Sequence, residues 1–335
     1  MSATIKDLAK KLNLSVSTVS YALNNGPRPI SEDVKARVLK AARENGYRPN
    51  RVAKSLVTRK TNCVGIVLTK IERNVLMSQF VHLALNGIVN SAEDLGQDVV
   101  ILTAYDRTDS AALSHMARDS RVDGVIYLAP RPDAVIASIG IPIALVSSAA
   151  STALPSFTAD NRQGISDAID HLVNLGHTRI AHISGREGTV DADERLDAFK
   201  SAMAAKGLSL PESYIQPGLF HIDGGKSSSK KLFALPQPPT AILCANDEIA
   251  YGVYLTCQEM GLSIPKDISV IGYDDSPLGT NLHPALTSIR QPIELMGSAA
   301  CQSIIDQANQ KRSVSQKFPT QLIIRASTSR PLEVI

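Results

Sequence analysis

Apolar positions recur along this chain with two different periods, and the change of period divides it. From residue 4 to 46 the spacing is helical. Ile5, Leu8, Ala9 and Leu12 share one face of a short helix, with Thr4 at its N-cap and Asp7 completing a capping box. Asn13-Leu14-Ser15 makes a break, after which Ser15 caps a second helix predicted over about 16–23, with Val19, Ala22 and Leu23 inward. Gly26-Pro27 and Pro29 stop it. Ser31, followed by Glu32 and Asp33, opens a third helix whose apolar residues are Val34, Val38, Leu39 and Ala42 and which ends at Gly46. Two short helices joined by a tight turn and braced by a third form a helix-turn-helix. A plain three-helix bundle is the structural alternative.

Beyond residue 62 the pattern changes to short continuous apolar runs: 64–68, 98–103, 124–129, 141–147, 179–184, 240–245 and 268–274. Helical stretches at 82–95, 164–175 and 247–261 alternate with them. Strands that are apolar on both faces and separated by helices predict parallel sheets covered on each side. Around 270 residues exceed one doubly wound sheet, so two lobes are expected, with ligands at the C-terminal ends of strands. The expected fold is α/β, two-lobed with parallel sheets, behind an all-α head.

Composition narrows the function. Apolar residues are 44% and charged residues 20% of the 335, ordinary for a chain that buries a core. Aromatics at 4%, without Trp, disfavour stacking platforms for single-stranded nucleic acid. No run approaches the ~20 apolar residues of a membrane span, and the N-terminus has no signal-like apolar core, so a cytoplasmic location is expected. Cys63, Cys244, Cys257 and Cys301 are far apart, which predicts reduced core thiols and no metal site. Residues 1–60 hold 13 basic and 4 acidic groups, net +9, whereas the remainder holds 22 and 28, net −6. A basic head on an acidic body points to a polyanionic partner for the head; a solvated basic arm gives the same count.

Enzyme signatures are missing. No GxGxxG follows a strand, no GxSxG occurs, and Gly218 to Gly225-Lys226-Ser227 has six residues where a phosphate loop has four. Asp274-Asp275 reads as a paired carboxylate only weakly, because neighbours at a strand end point apart. Neither catalysis nor a cofactor is expected.

Two runs at the head, TIKDLAKKLNLSVSTVSYALNN and ISEDVKARVLKAARENGYRPNRVAKSL, and within them LSxxTVSxxLN and GYxPNxxAxxL, resemble the headpiece and hinge of the LacI/GalR repressor family. The resemblance continues through VDGVI, LGHTRIAHISG, ERLDAF, ANDEIAYG, SVIGYDD and LTSIRQP, in order and over nearly the whole chain. It implies a headpiece at 1–48, a hinge helix at 49–60 and a periplasmic-binding-protein-like effector domain at 61–335. Lobe one is then expected at about 62–161 and 290–320, and lobe two at about 162–289 and 321–335.

The resemblance also implies roles. On the second helix, Val16, Ser17 and Tyr21 fall at base-reading positions; many members have Arg where Tyr21 stands, so a guanine contact is not expected there. Thr18, Ser20 and Asn24 fit phosphate contacts. Asn50, Arg51, Ala53, Lys54 and Leu56 lie in the hinge, with Leu56 as the minor-groove wedge. Arg195, Asn246 and Asp274 match effector-gripping positions, Phe220 an aromatic beneath a sugar ring, and Ser147 a lobe-one contact. Ser78 and Phe80 stand in SQF, where many members have Asn-Pro-Phe. Asp247 and Asp275 are expected to project into the cleft with Asn246 and Asp274. The plain alternatives are an Arg195 ion pair with Glu194 or Asp197, helix capping by Asn246 and core packing by Phe220. A homodimer on a palindromic operator is expected, switched by a small molecule, most simply a sugar; the alternatives are a purine or phosphoprotein as effector, or a sugar-binding protein or enzyme without operator function. No heptad tail precedes Ile335, which argues for a dimer over a tetramer.

Overall fold

The computed structural model describes residues 3–24, 28–47, 60–68, 76, 78–102, 121–130, 140–148 and 154–332. Two compact units divide the chain, Met1–Thr61 and Asn62–Ile335.

In the first unit, α1 (Ile5–Leu12), α2 (Val16–Asn24) and α3 (Glu32–Glu44) enclose a core of Leu8, Ala9, Val19, Ala22, Val38, Ala41 and Ala42. Thr4 accepts from the Asp7 N–H while Asp7 accepts from the Thr4 N–H, so the capping box forms. Asn13 takes the left-handed conformation at the end of α1, and Ser15 Oγ accepts from the Thr18 N–H at 3.0 Å. One expectation on α3 needs correction. Ser31 opens the helix as its N-cap, without a side-chain capping bond, but Leu39 is exposed. Ala41 takes the inward place instead, one helical turn from Val38.

The second unit contains two six-stranded sheets. The first is ordered β11-β5-β4-β3-β1-β2, built from β1 (Cys63–Leu68), β2 (Asp98–Leu102), β3 (Gly124–Leu128), β4 (Ile143–Val146), β5 (Ser156–Ala159) and β11 (Gln316–Phe318). The second is ordered β12-β10-β9-β8-β6-β7, from β6 (Ile180–Ser184), β7 (Ile215–Pro217), β8 (Ala241–Cys244), β9 (Ser269–Asp274), β10 (Thr287–Arg290) and β12 (Gln321–Ile323). Every pairing is parallel except β10 with β12. Strands such as β3, β4, β8 and β9 are buried along their whole length, which is why they read as unbroken apolar runs.

Lobe one, carried by the first sheet, packs α4 (Gln79–Asp94) and α10 (Ile293–Ala308) on a core of Val64, Ile66, Ala84, Ile88, Ile126, Met296 and Ile304. The two helices touch closely enough that a Cβ on Gly87 would strike the backbone carbonyl of Glu294. Lobe two, carried by the second sheet, has α5 (Asn161–Asn174) and α6 (Val190–Ala205) on one face. On its other face lie α7 (Ile222–Phe233) and α8 (Asp247–Met260), with α9 (Pro277–Thr280) following β9. The chain leaves the first sheet at β5, enters lobe two, and returns at α10 and β11 before ending in the second sheet at β12. His182, fully buried in β6, stacks on Phe199 with ring centroids 4.9 Å apart, and its Nδ1 donates to the Leu243 carbonyl at 2.8 Å. Burial pushes this imidazole down to about 4.

Gly225-Lys226-Ser227 lies inside α7, so it forms no phosphate loop. All four cysteines are buried free thiols. Among the described residues no helix is long and apolar enough to cross a membrane.

Candidate functional site

Two surfaces carry the predicted residues, one on each unit. On the headpiece, α2 turns Val19 and Ala22 into the core, which leaves Val16 and Ser17 exposed and Thr18, Ser20 and Tyr21 half-buried. The Ser15, Ser17 and Thr18 hydroxyls form a small network, with Ser15 Oγ 2.8 Å from each of the other two. The start of α2 therefore presents an apolar isopropyl beside hydroxyls, a mixture suited to a thymine methyl and to base-edge or phosphate atoms. The Asn24 side chain and Asn50, Arg51, Ala53, Lys54 and Leu56 lie outside the described residues.

The second surface is a cavity of about 640 Å³ between the two lobes, in the range of small-molecule sites. Ser78, Phe80, Ser147, Arg195, Phe220, Asn246 and Asp274, spread over nearly 200 residues of sequence, all line it. Lobe one supplies the ends of β1, β3 and β4 with the N-terminus of α4: Leu68, Ser78, Phe80, Val81, Leu128, Ala129, Pro130 and Ser147. Lobe two supplies the corresponding strand ends and the first turns of α6, α7 and α8. This is the strand-end crevice expected of parallel sheets.

Arg195 is its most constrained member. It is 2% exposed, lies 3.6 Å from the Tyr273 ring centroid, and donates through Nε to Asn161 Oδ1 at 2.9 Å and through Nη1 to the Ala245 carbonyl. Its ionic partner is Asp191 at 3.9 Å, not Glu194 or Asp197. Asn161, the first residue of α5, also accepts from the Tyr273 hydroxyl and donates to Asp191 and Glu194. One guanidinium is thus locked to both the start of α5 and the β8 end, with Nη2 turned towards Asp191 in the cavity wall.

Asn246 holds two roles at once. Its Oδ1 accepts from the Ile249 N–H at 2.9 Å, capping α8, while its Nδ2 donates to the Phe220 carbonyl at 3.3 Å. Phe220 and its neighbour Leu219 have φ of 65° and 58°, left-handed values that a bulky residue adopts at a cost. The Phe220 ring lies so close over Gly185 that a Cβ there would collide with it. Asp274, at φ 108°, accepts from Gln291 Nε2 at 2.6 Å. Burial pushes its carboxyl up, Arg195 pulls it down and Asp247 pushes it up again. Ser147, at φ 54° and 2% exposed, has a hydroxyl without a hydrogen-bond partner, as has the Oε1 of Gln291. Two unpaired buried polar atoms in one cavity wall are costly unless a further molecule meets them.

Two predicted cleft residues are not there. Asp247 turns into lobe two, where it accepts from the Ser276 N–H at 2.7 Å, the Ser276 hydroxyl at 2.9 Å and the Ser288 hydroxyl at 2.7 Å. Asp275 is sequestered by ion pairs with Arg290 and Arg325, each 2.6 Å away. The alternation of successive side chains sends each away from its neighbour. Residues that sequence reasoning missed include Asp191, Glu248 and Gln291. Asp191 precedes Arg195 by one helical turn, a spacing visible in the sequence, whereas Gln291 joins only through the β9–β10 pairing. No group of three or more His, Cys, Asp or Glu among the described residues is arranged to hold a metal.

Comparison with known proteins settles the family. The model for the bacterial regulatory proteins of the lacI family matches residues 4–50, and the periplasmic-binding-protein-like domain matches residues 169–328. Catabolite control protein A of Priestia megaterium is 30% identical over 337 residues, covering 98% of this chain and 100% of that protein. The chain belongs to the LacI family. A solved lac repressor dimer bound to operator and the anti-inducer ONPF superposes with a TM-score of 0.85 at 25% identity, covering 98% of this chain and 100% of that one. A solved complex of the transcriptional regulator CelR with cellobiose gives a TM-score of 0.73 at 25% identity, covering 97% and 99%. As a LacI-family chain it is a DNA-binding transcriptional regulator with an effector-binding domain, and the relatives named are regulators, not enzymes.

Proposed function

We propose that this chain is an operator-binding repressor of carbohydrate utilisation, acting in the cytoplasm on the nucleoid as a homodimer, and that a neutral sugar bound between its lobes controls it. The observation that carries the effector reading is the convergence of the seven predicted residues on one cavity, with the Ser147 hydroxyl and Gln291 Oε1 unpaired in its wall. Charge supports a neutral ligand. The described lining has the carboxylates of Asp191, Asp223 and Glu248, with the Asp274 carboxyl held towards its neutral form by burial, against the guanidinium groups of Arg186 and Arg195. A phosphate or carboxylate brought there meets net repulsion, while hydroxyls find acceptors in the carboxylates and donors in Arg195 and Asn246. Phe80 and Phe220 offer apolar surface for the face of a sugar ring. The complex of a relative with cellobiose adds to this reading.

At the operator, Val16, Ser17 and Tyr21 read bases and Thr18, Ser20 and Asn24 hold phosphates. Residues 49–60 form the hinge helix, in which Asn50, Arg51, Ala53 and Lys54 contact the minor groove and Leu56 parts a base step. The effector changes the angle between the lobes and thereby the pairing of hinge helices, which requires it to bind the two states unequally. The test is selection from a randomised palindromic DNA pool at fixed salt, followed by titration of neutral sugars, sugar phosphates and purines against the enriched operator. A neutral sugar that shifts operator affinity supports the proposal. A response to sugar phosphates or purines alone contradicts it.

A further inference from the structure

The two lobes are tied across the cavity rim by a hydrogen bond made to backbone. The N–H of Gln79, the first residue of α4 in lobe one, donates to Oε1 of Glu248 at 3.1 Å. Glu248 is the second residue of α8 in lobe two and also lines the cavity. Ser78 stands at the N-cap of α4 yet makes no side-chain capping bond. A donor that a helix normally satisfies within its own lobe is therefore satisfied by a carboxylate from the other lobe. Burial pushes the Glu248 carboxyl up on balance, against the smaller downward pull of the Gln79 N–H, His221 and His82.

We propose that Glu248 is an interlobe latch, a positioning residue that holds the two cavity walls at the angle where one molecule can touch both. The bridge and a bound effector then stabilise the same arrangement. Removing the bridge lowers the fraction of protein in that arrangement and weakens apparent effector binding by the same factor. The inference rests on the proposed effector role of the cavity, although the bridge itself can be tested without any effector.

The test uses the full-length protein with Glu248→Ala and Glu248→Gln, read by amide hydrogen exchange and by operator affinity under titration with D-ribose and cellobiose. In sugar-free protein, Glu248→Ala is expected to speed exchange at residues 78–82 by about tenfold while residues 190–205 stay unchanged, a shift of the size a lost cap gives. The sugar concentration for a half-maximal effect should rise by about fivefold. Glu248→Gln keeps an acceptor oxygen and should stay within about twofold of the parent on both readouts. Unchanged exchange in Glu248→Ala overturns the latch, and with a weakened sugar response it makes Glu248 a direct ligand contact instead. Glu248→Gln as impaired as Glu248→Ala also overturns it, because charge rather than the bridge would then be responsible. If neither sugar affects the parent protein, the sugar reading fails while the exchange result still decides the latch.

Discussion

Arg195 shows how one side chain in this fold serves structure and ligand together. Three of its contacts are to Asn161, Ala245 and the Tyr273 ring, all buried, so its position is fixed before any ligand arrives. Arg195→Lys keeps the charge but not the planar fork that spans Asn161 and Ala245. Operator binding by this variant is expected to stay within about twofold while the effector response falls by about tenfold or more, measured by anisotropy with and without sugar. His182 makes a second prediction. Its folded value near 4 lies below the ordinary 6.5 of an unfolded histidine, so the unfolded chain binds the extra proton between these values. The stability it contributes is present above about pH 6.5 and is lost as pH falls towards 4, by about 3 kcal/mol at most. Chemical denaturation of His182→Gln across pH 4–7 should show a shallower dependence than the parent; equal slopes would contradict the assignment.

At the level of elements, the periodicities that mark strands and helices carried most of the architecture. β2, β3, β4, β6, β8 and β9 fall within the apolar runs, β1 begins one residue before its run, and the capping box at Thr4 and Asp7 forms as spaced. Helices α4 and α5 each begin three residues before the predicted stretch, α4 at Gln79 and α5 at Asn161. Five strands had little local signal. β5, β7, β10, β11 and β12 have three or four residues each, and what defines them is a partner strand elsewhere in the chain, as when β11 pairs with β5. The same reason hid Gln291, whose partner Asp274 is set by strand pairing, and misdirected Asp247 and Asp275, since no local pattern says which of two adjacent acids turns inward. The α4–α10 contact gives an element-scale prediction. Gly87→Ala pushes a methyl group onto the Glu294 carbonyl, and backbone cannot move aside as a side chain can. A loss of about 1–3 kcal/mol in urea unfolding is expected, the usual cost of overpacking.

Across the whole molecule, charge and cavity divide the labour. The first 60 residues have a net charge of +9 and the rest −6, so the DNA-facing unit draws phosphate while the body repels it. The body in turn keeps a cavity between two sheets whose strand ends lie on separate lobes, and any molecule that touches both lobes biases their angle. What joins these halves is coupling: occupancy of the cavity must alter affinity for operator. The most direct measurement is operator affinity by fluorescence anisotropy at fixed salt, for the parent and Arg195→Lys proteins, across a titration of neutral sugars. The account predicts that one sugar shifts the parent's affinity by about tenfold or more and leaves that of Arg195→Lys nearly unchanged. Tight, selective operator binding that no neutral sugar alters, or an equal shift in both proteins, would contradict it.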